Sequence, residues 1–215
     1  GKFVALRFTD ADDYYAYISH FHPDGENTMS GGIFLTDGYY HMAFPEGRTA
    51  EEERPVRVHE LAHNLLAHLP LPLWLNEALA IAFERDLAGG HAWALDTEII
   101  GRHRVYWNAD TMQDFWRGNS FRSMEGQELS YSLAFTLLDI VYRDIGPSPE
   151  EFRRFVRGAN WHDAGADAAR EHLDVGLEEM VANFLGPGEW TPAPDLAAQI
   201  ERDRSMPTQE MTELE

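Results

Sequence analysis

His59-Glu60-Leu61-Ala62-His63 sets two imidazoles four positions apart around a carboxylate. On an α-helix that spacing brings both rings to one face, where they can converge on one metal ion. Neutral imidazole is a good zinc ligand, and two of them leave room for a third protein ligand and a water. Glu60, next to the first histidine, can aim its carboxylate at that water rather than at the metal. There it can take the water's proton while zinc lowers the water's pKa.

The chain has 10 histidines, and a shuffled chain of this composition would show the pattern roughly once in 20. The flanks therefore carry weight. Val56, Val58, Leu61, Ala62, Leu65, Leu66 and Leu69 recur at helical spacing. Glu51, Glu52 and Glu53 sit near the start, where acids suit the helix dipole, and Pro70 and Pro72 stop the helix. The pattern predicts a largely buried helix reaching Leu69. Polar His and Glu side chains in such a helix need partners, and a metal ion is the simplest one.

Beyond the two prolines, residues 73–84 read as a second helix with Glu77 near its first turn. From His63 the first helix is expected to run about six more residues, or roughly 9 Å. A short connection then lets the second helix return antiparallel, and Glu77 can approach the two histidines. Its alternative reading is an N-terminal helix acid that favours the dipole. The apolar neighbours favour the ligand reading, because an unpaired buried carboxylate is costly.

The pentapeptide followed by Trp74-Leu75-Asn76-Glu77-Ala78-Leu79-Ala80 resembles the gluzincin clan of zinc metallopeptidases. That clan includes thermolysin-like and aminopeptidase N-like enzymes and small peptidase MA-like members. In these families a Trp-Leu-Asn-Glu-Gly-Phe/Leu-Ala segment supplies the glutamate ligand; here Ala78 replaces the glycine. The resemblance implies a Zn²⁺ cofactor held by His59, His63 and Glu77, Glu60 as general base, and a peptide or protein substrate. It also implies a zincin-like α+β fold, with a small N-terminal mixed sheet packed on the active-site helix and a helical C-terminal lobe.

Residues 129–142 resemble the gluzincin helix that begins with a tyrosine behind the metal site, and Tyr131 falls on that position. Its phenol would donate to an oxyanion, a recognised role for Tyr; the alternative is a half-buried helix-end tyrosine with its hydroxyl in water. Tyr106 and Tyr142 are weaker candidates for the same role. The resemblance spans most of residues 30 to 190, but only the two zinc motifs are specific. One departure stands out. Four residues after the glutamate ligand, where relatives often carry an acid that orients a zinc histidine, this chain has Ile81. Glu84, Asp86 or a backbone carbonyl would have to serve instead.

The rest of the chain supplies the frame. Residues 3–8 alternate as a strand, and Asp10 reads as the N-cap of a helix over 14–20. Residues 22–25 read as a turn. Residues 33–36 and 39–44 are short strands joined by Asp37-Gly38, a hairpin signal. Gly31-Gly32 resembles the gluzincin edge strand, where small residues let a peptide pair by β-addition; plain turn chemistry is the alternative. Between residues 91 and 121, short helices carry Trp93, Trp107 and Trp116, which read first as core and second as pocket lining. His103, between Arg102 and Arg104, reads as a surface histidine, with oxyanion assistance as the alternative. His41, His68, His91, His162 and His172 lack a spacing partner and read as structural or exposed.

The 215 residues suit one domain, with an N-terminal lobe over about 1–70, a helical lobe over about 71–190, and an acidic, Pro-containing tail over 191–215 that reads as a surface strap, helix or disordered segment. A hydrophobic fraction of 44% supports a substantial core. No run of 18 apolar residues predicts a membrane span. No signal peptide is evident, and the opening Gly1-Lys2-Phe3-Val4 suggests a mature or trimmed form. Zero cysteines remove disulfides, thiol catalysis and thiolate zinc sites, which suits the cytosol or an exported bacterial-type protein alike. A formal charge of −20 argues against nucleic acid and anionic membranes as partners. Two other functions compete with peptidase activity: a non-catalytic zinc-binding domain that grips a peptide or protein, and a metal-free helical interaction domain.

Overall fold

The computed structural model describes residues 4–21, 31–47, 49–89 and 95–205. It is rich in helix with one small mixed sheet, an α+β composition. Two compact units emerge: one comprises Gly1–His68 with Leu79–Ala92, the other Leu69–Ala78 with Trp93–Glu215. The sequence reading puts a single boundary near residue 70; in the structure the division also crosses a helix between Ala78 and Leu79. The expected turn at 22–25, His91 and Trp93 lie outside the described residues.

The first unit is built on strands β1 (Val4–Phe8), β2 (Ile33–Leu35) and β3 (His41–Pro45) in the order β1-β3-β2. β1 runs parallel to β3, and β2 runs antiparallel to it, with Ile33 opposite Ala43 and Leu35 opposite His41. Gly38, at φ +75°, supplies the left-handed residue of the connecting turn. Alternation sorts the two faces of the sheet. Leu6, Phe8, Ile33 and Ala43 meet Tyr14 and Ile18 of helix α1 (Ala11–Phe21). Arg7, on the opposite face, reaches Glu53 of helix α2 (Ala50–Leu66).

α2 begins where Thr49 accepts a hydrogen bond from the Glu52 amide, and three glutamates fill its first turn. It ends at Leu66, not Leu69. Pro70 disfavours helical geometry in the residue before it, and the His68 ring donates Nδ1–H to the Leu65 carbonyl at 2.9 Å, satisfying one of the last orphan acceptors. The helix is also less buried than its apolar pattern predicts. Only Glu53, Glu60 and Ala62 are fully buried, and Leu65 is half exposed. A three-stranded sheet covers one face of a helix this long and leaves the remainder to other contacts.

Helix α3 (Leu73–Ala88) carries Glu77 as its fifth residue, past the first turn, where no acid stands. Its later turns run antiparallel to α2: Arg54 donates to the Leu87 carbonyl at 2.7 Å, and His59 lies against Glu84. Its first turns are fixed within the second unit. The Trp74 indole, 1% exposed, donates to the Ala164 carbonyl at 2.9 Å. The Trp161 amide donates to the Pro70 carbonyl, also at 2.9 Å.

The second unit is helical: α4 (Thr97–Tyr106), α5 (Ala109–Arg117), α6 (Gln127–Ile140), α7 (Pro149–Gly158), α8 (Ala166–Leu173), α9 (Leu177–Leu185) and α10 (Leu196–Ser205). Leu129, Leu133, Leu137 and Leu138 form the buried face of α6, and Met112, Phe115 and Trp116 that of α5. Trp107 and Trp116 are core residues, and the Trp116 indole donates to the Trp190 carbonyl. Capping boxes start α5 at Asn108 and α7 at Ser148. Part of the C-terminal tail packs with this unit: Leu196 and Ile200 are buried, and the Asn119 amide donates to Asp203 at 2.9 Å. Among the described residues no helix is long and apolar enough to cross a membrane.

Candidate metal centre

Where α2 starts decides where its histidines stand. Glu53 lies under the sheet and accepts from Arg7 Nε at 2.9 Å, Arg7 Nη2 at 2.6 Å and the Gly47 amide at 3.1 Å. The Arg7 hydrogen bonds hold the Glu53 carboxyl below the usual range against the opposing effect of burial. A buried carboxylate without such partners would be costly. This clamp ties the first turns of α2 to β1 and to the end of β3.

Two turns further on, His59 and His63 stand on one face, their ring centroids 4.7 Å apart at 77°. His59, His63 and Glu77 each offer one ligand atom, and these atoms all lie within 4.8 Å of one another. Among the described residues this is the one such group of three or more His, Cys, Asp or Glu side chains. The histidines are half-buried and Glu77 is 9% exposed. Two imidazole nitrogens and one carboxylate oxygen make a donor set that can hold a metal ion and leave coordination positions open.

Glu60 is 6% exposed and stays outside that group. Its near neighbour is Gly32, which leads into the edge strand β2. A β-carbon on Gly32 would meet Val56 Cγ1 at 2.4 Å and Glu60 Cγ at 3.3 Å, so the chain entering β2 passes α2 too closely for a side chain at this position. His59 Nδ1 lies 3.3 Å from Glu84 Oε2. Ile81, where relatives often carry an acid, is buried and aliphatic, while Asp86 turns to Arg85 at 2.7 Å.

Tyr131 belongs to the second unit, on α6. Its ring is half-buried and meets Phe121 edge-on at 5.2 Å. Tyr106 stands over Gly126, where a β-carbon would lie 2.2 Å from its hydroxyl, and Tyr142 is about half exposed.

His103 corrects the sequence reading. It is fully buried, not a surface residue, and both ring nitrogens are engaged. Trp107 Nε1 donates to its Nδ1 at 2.8 Å, so Nε2 carries the proton and donates to Ser132 Oγ at 3.0 Å. Burial first, and Arg102 second, push its pKa down to about 4. With both nitrogens committed inside the core it is not disposed to assist an oxyanion. Trp107, one helical turn after His103, was the signal for this pair. His41 is likewise buried: it donates Nδ1–H to the Tyr39 carbonyl at 2.7 Å and accepts from the Tyr17 hydroxyl at 2.8 Å.

Compared with family models, curated proteins and solved structures, the chain has no match. The likeness to gluzincins therefore rests on the residues themselves.

Proposed function

We propose that this protein is a zinc metallopeptidase of gluzincin type with a zincin-like fold, and that it hydrolyses peptide bonds. The observation that carries the reading is the convergence of His59, His63 and Glu77 with Glu60 buried on the same helix and left out of the ligand set. Three protein ligands, two of them imidazole and none a thiolate, fit zinc in an open, catalytic arrangement. Bound there, zinc would polarise the scissile carbonyl and acidify water.

The chain's own residues supply the remainder. Glu60 acts as general base, taking a proton from the attacking water and returning it to the departing amine nitrogen. The Tyr131 hydroxyl donates to the oxyanion that develops on the carbonyl. The extended substrate lies along β2, which among the described residues pairs with β3 on one side only, so a peptide can add by backbone pairing. Gly31 and Gly32 keep the strand close to α2 and Glu60.

The test is direct. The purified chain should carry about one zinc, as a single three-ligand site requires, and should cleave members of a diverse peptide library only when zinc is present. Zinc-loaded protein that cleaves nothing in the library would favour a non-catalytic zinc-binding domain that grips a peptide. Protein that takes up no zinc would end both readings.

A further inference from the structure

We propose that Glu84 is the positioning residue for His59, holding the ring by Nδ1–H so that Nε2 is the nitrogen offered to the metal ion. The inference rests on reading His59 as a zinc ligand and names the residue that sets its orientation.

The geometry begins with the antiparallel run of α2 and the later turns of α3. Glu84 stands seven residues beyond Glu77, close to two full helical turns, and so returns to nearly the same face of α3. Because the helices oppose each other, moving forward along α3 means moving back along α2. Glu84 thereby falls beside the earlier histidine, with His59 Nδ1 at 3.3 Å from its Oε2. The carboxylate oxygen accepts in this contact, so Nδ1 carries the proton and Nε2 presents its lone pair. A neutral imidazole otherwise exchanges between two tautomers and rotates about its χ angles. A carboxylate on the distal nitrogen removes both freedoms and makes the ring a better donor.

The two nearby side chains that could compete do not serve. Ile81, one turn nearer Glu77, is 5% exposed and has no polar atom in its side chain. Asp86 is directed at Arg85 on the surface. The contact is partly open, with side-chain exposures of 18% for His59 and 26% for Glu84. Water can therefore compete, which places the expected effect in the range of an outlying hydrogen bond and below that of a lost ligand.

The experiment uses the full chain with Glu84→Ala, Glu84→Gln and, as a control, Asp86→Ala. Zinc affinity is measured by chelator competition. The His59 tautomer is read in the metal-free protein from long-range proton–nitrogen correlations, at a pH where the ring is neutral. Glu84→Ala should weaken zinc by roughly 10- to 100-fold, the usual cost of losing such a partner, and should release the ring from the Nδ1–H form. Glu84→Gln should weaken it less, because the amide oxygen accepts without a charge. Asp86→Ala should match the parent. If Glu84→Ala lowers the thermal midpoint by loosening the fold, the near-isosteric Gln variant decides alone. Parent-like affinity in both Glu84 variants, or a parent His59 ring in the Nε2–H form, overturns the proposal and leaves the zinc site standing. A parent chain that takes up no zinc overturns the metallopeptidase reading together with it.

Discussion

Gly32 lies so close to Val56 that no side chain fits there: a β-carbon on Gly32 would stand 2.4 Å from Val56 Cγ1, with Glu60 Cγ next at 3.3 Å. Val56 is on the same helix as Glu60, so relief must come from moving strand against helix. Gly32→Ala should therefore cost roughly 1–3 kcal/mol of stability, the scale of overpacking, and should lower peptidase activity while leaving zinc uptake in place. Chemical denaturation, zinc titration and turnover of the variant check the three parts. An alanine variant with unchanged stability would mean the strand is free to yield.

Removing a ligand should abolish what binding contributes to the native state. Zinc should raise the thermal midpoint of the parent, since a ligand that binds only the folded chain stabilises it by mass action. His63→Ala and Glu77→Ala should each weaken zinc binding strongly and flatten that response. Full zinc affinity in Glu77→Ala would show that the third ligand is another residue. In the parent, acidification should release the metal, because protons compete with zinc for imidazole.

Glu60→Gln separates chemistry from binding. The amide keeps the carboxylate's shape and cannot act as a base. The variant should hold zinc and fold like the parent while its kcat falls on the order of 10²-fold or more, the scale of a lost general base. Equal turnover in variant and parent would place the proton transfer elsewhere.

Tyr131→Phe removes only a hydroxyl. If that hydroxyl steadies the oxyanion, kcat should drop by roughly 10²-fold with KM and zinc content nearly unchanged. An unaltered kcat returns Tyr131 to the packing it shares with Phe121, and the same substitution is then made at Tyr106 and Tyr142.

His103 predicts how stability responds to acid. Its pKa is pushed from 6.5 to about 4 in the folded chain, so the unfolded chain takes up this proton first. The associated stability is complete above pH 6.5, falls as the pH drops through that window, and levels off below about 4. A shift of that size corresponds to about 3 kcal/mol. Denaturation midpoints between pH 7 and pH 4 should fall more steeply for the parent than for His103→Gln, which starts less stable but cannot titrate. Parallel slopes would show that other groups govern the acid response.

Periodicity and punctuation made much of this legible. The spacing of His59 and His63, the prolines after α2 and the Trp74–Ala80 run single out three residues whose side chains the structure brings together. The alternation of residues 3–8 and the Asp37-Gly38 turn likewise point to strands of the sheet. What sequence could not carry was environment. The apolar stripe of α2 overstated its burial, because periodicity reports a face and not what covers it. His103 read as exposed for its arginine neighbours, since its partner Ser132 lies on another helix and no local pattern announces a contact of that kind. Glu84 was one of several options until the antiparallel run of α2 and α3 set it beside His59.

The parallel pairing of β1 with β3 joins Val4 to His41 across about 37 positions of chain. The helices that carry His59, His63 and Glu77, by contrast, are neighbours in sequence with a brief connection. Loop-closure entropy makes these two assemblies run on different clocks. Local helix–helix contacts can organise early during refolding, whereas the sheet must wait for its distant strand. A chain halted between those stages would already present its two imidazoles on one helical face, yet would lack β1, whose Arg7 clamps Glu53 and ties the start of α2 to the sheet. Ion capture is thus expected to precede the final docking of α2 on the way to the native state.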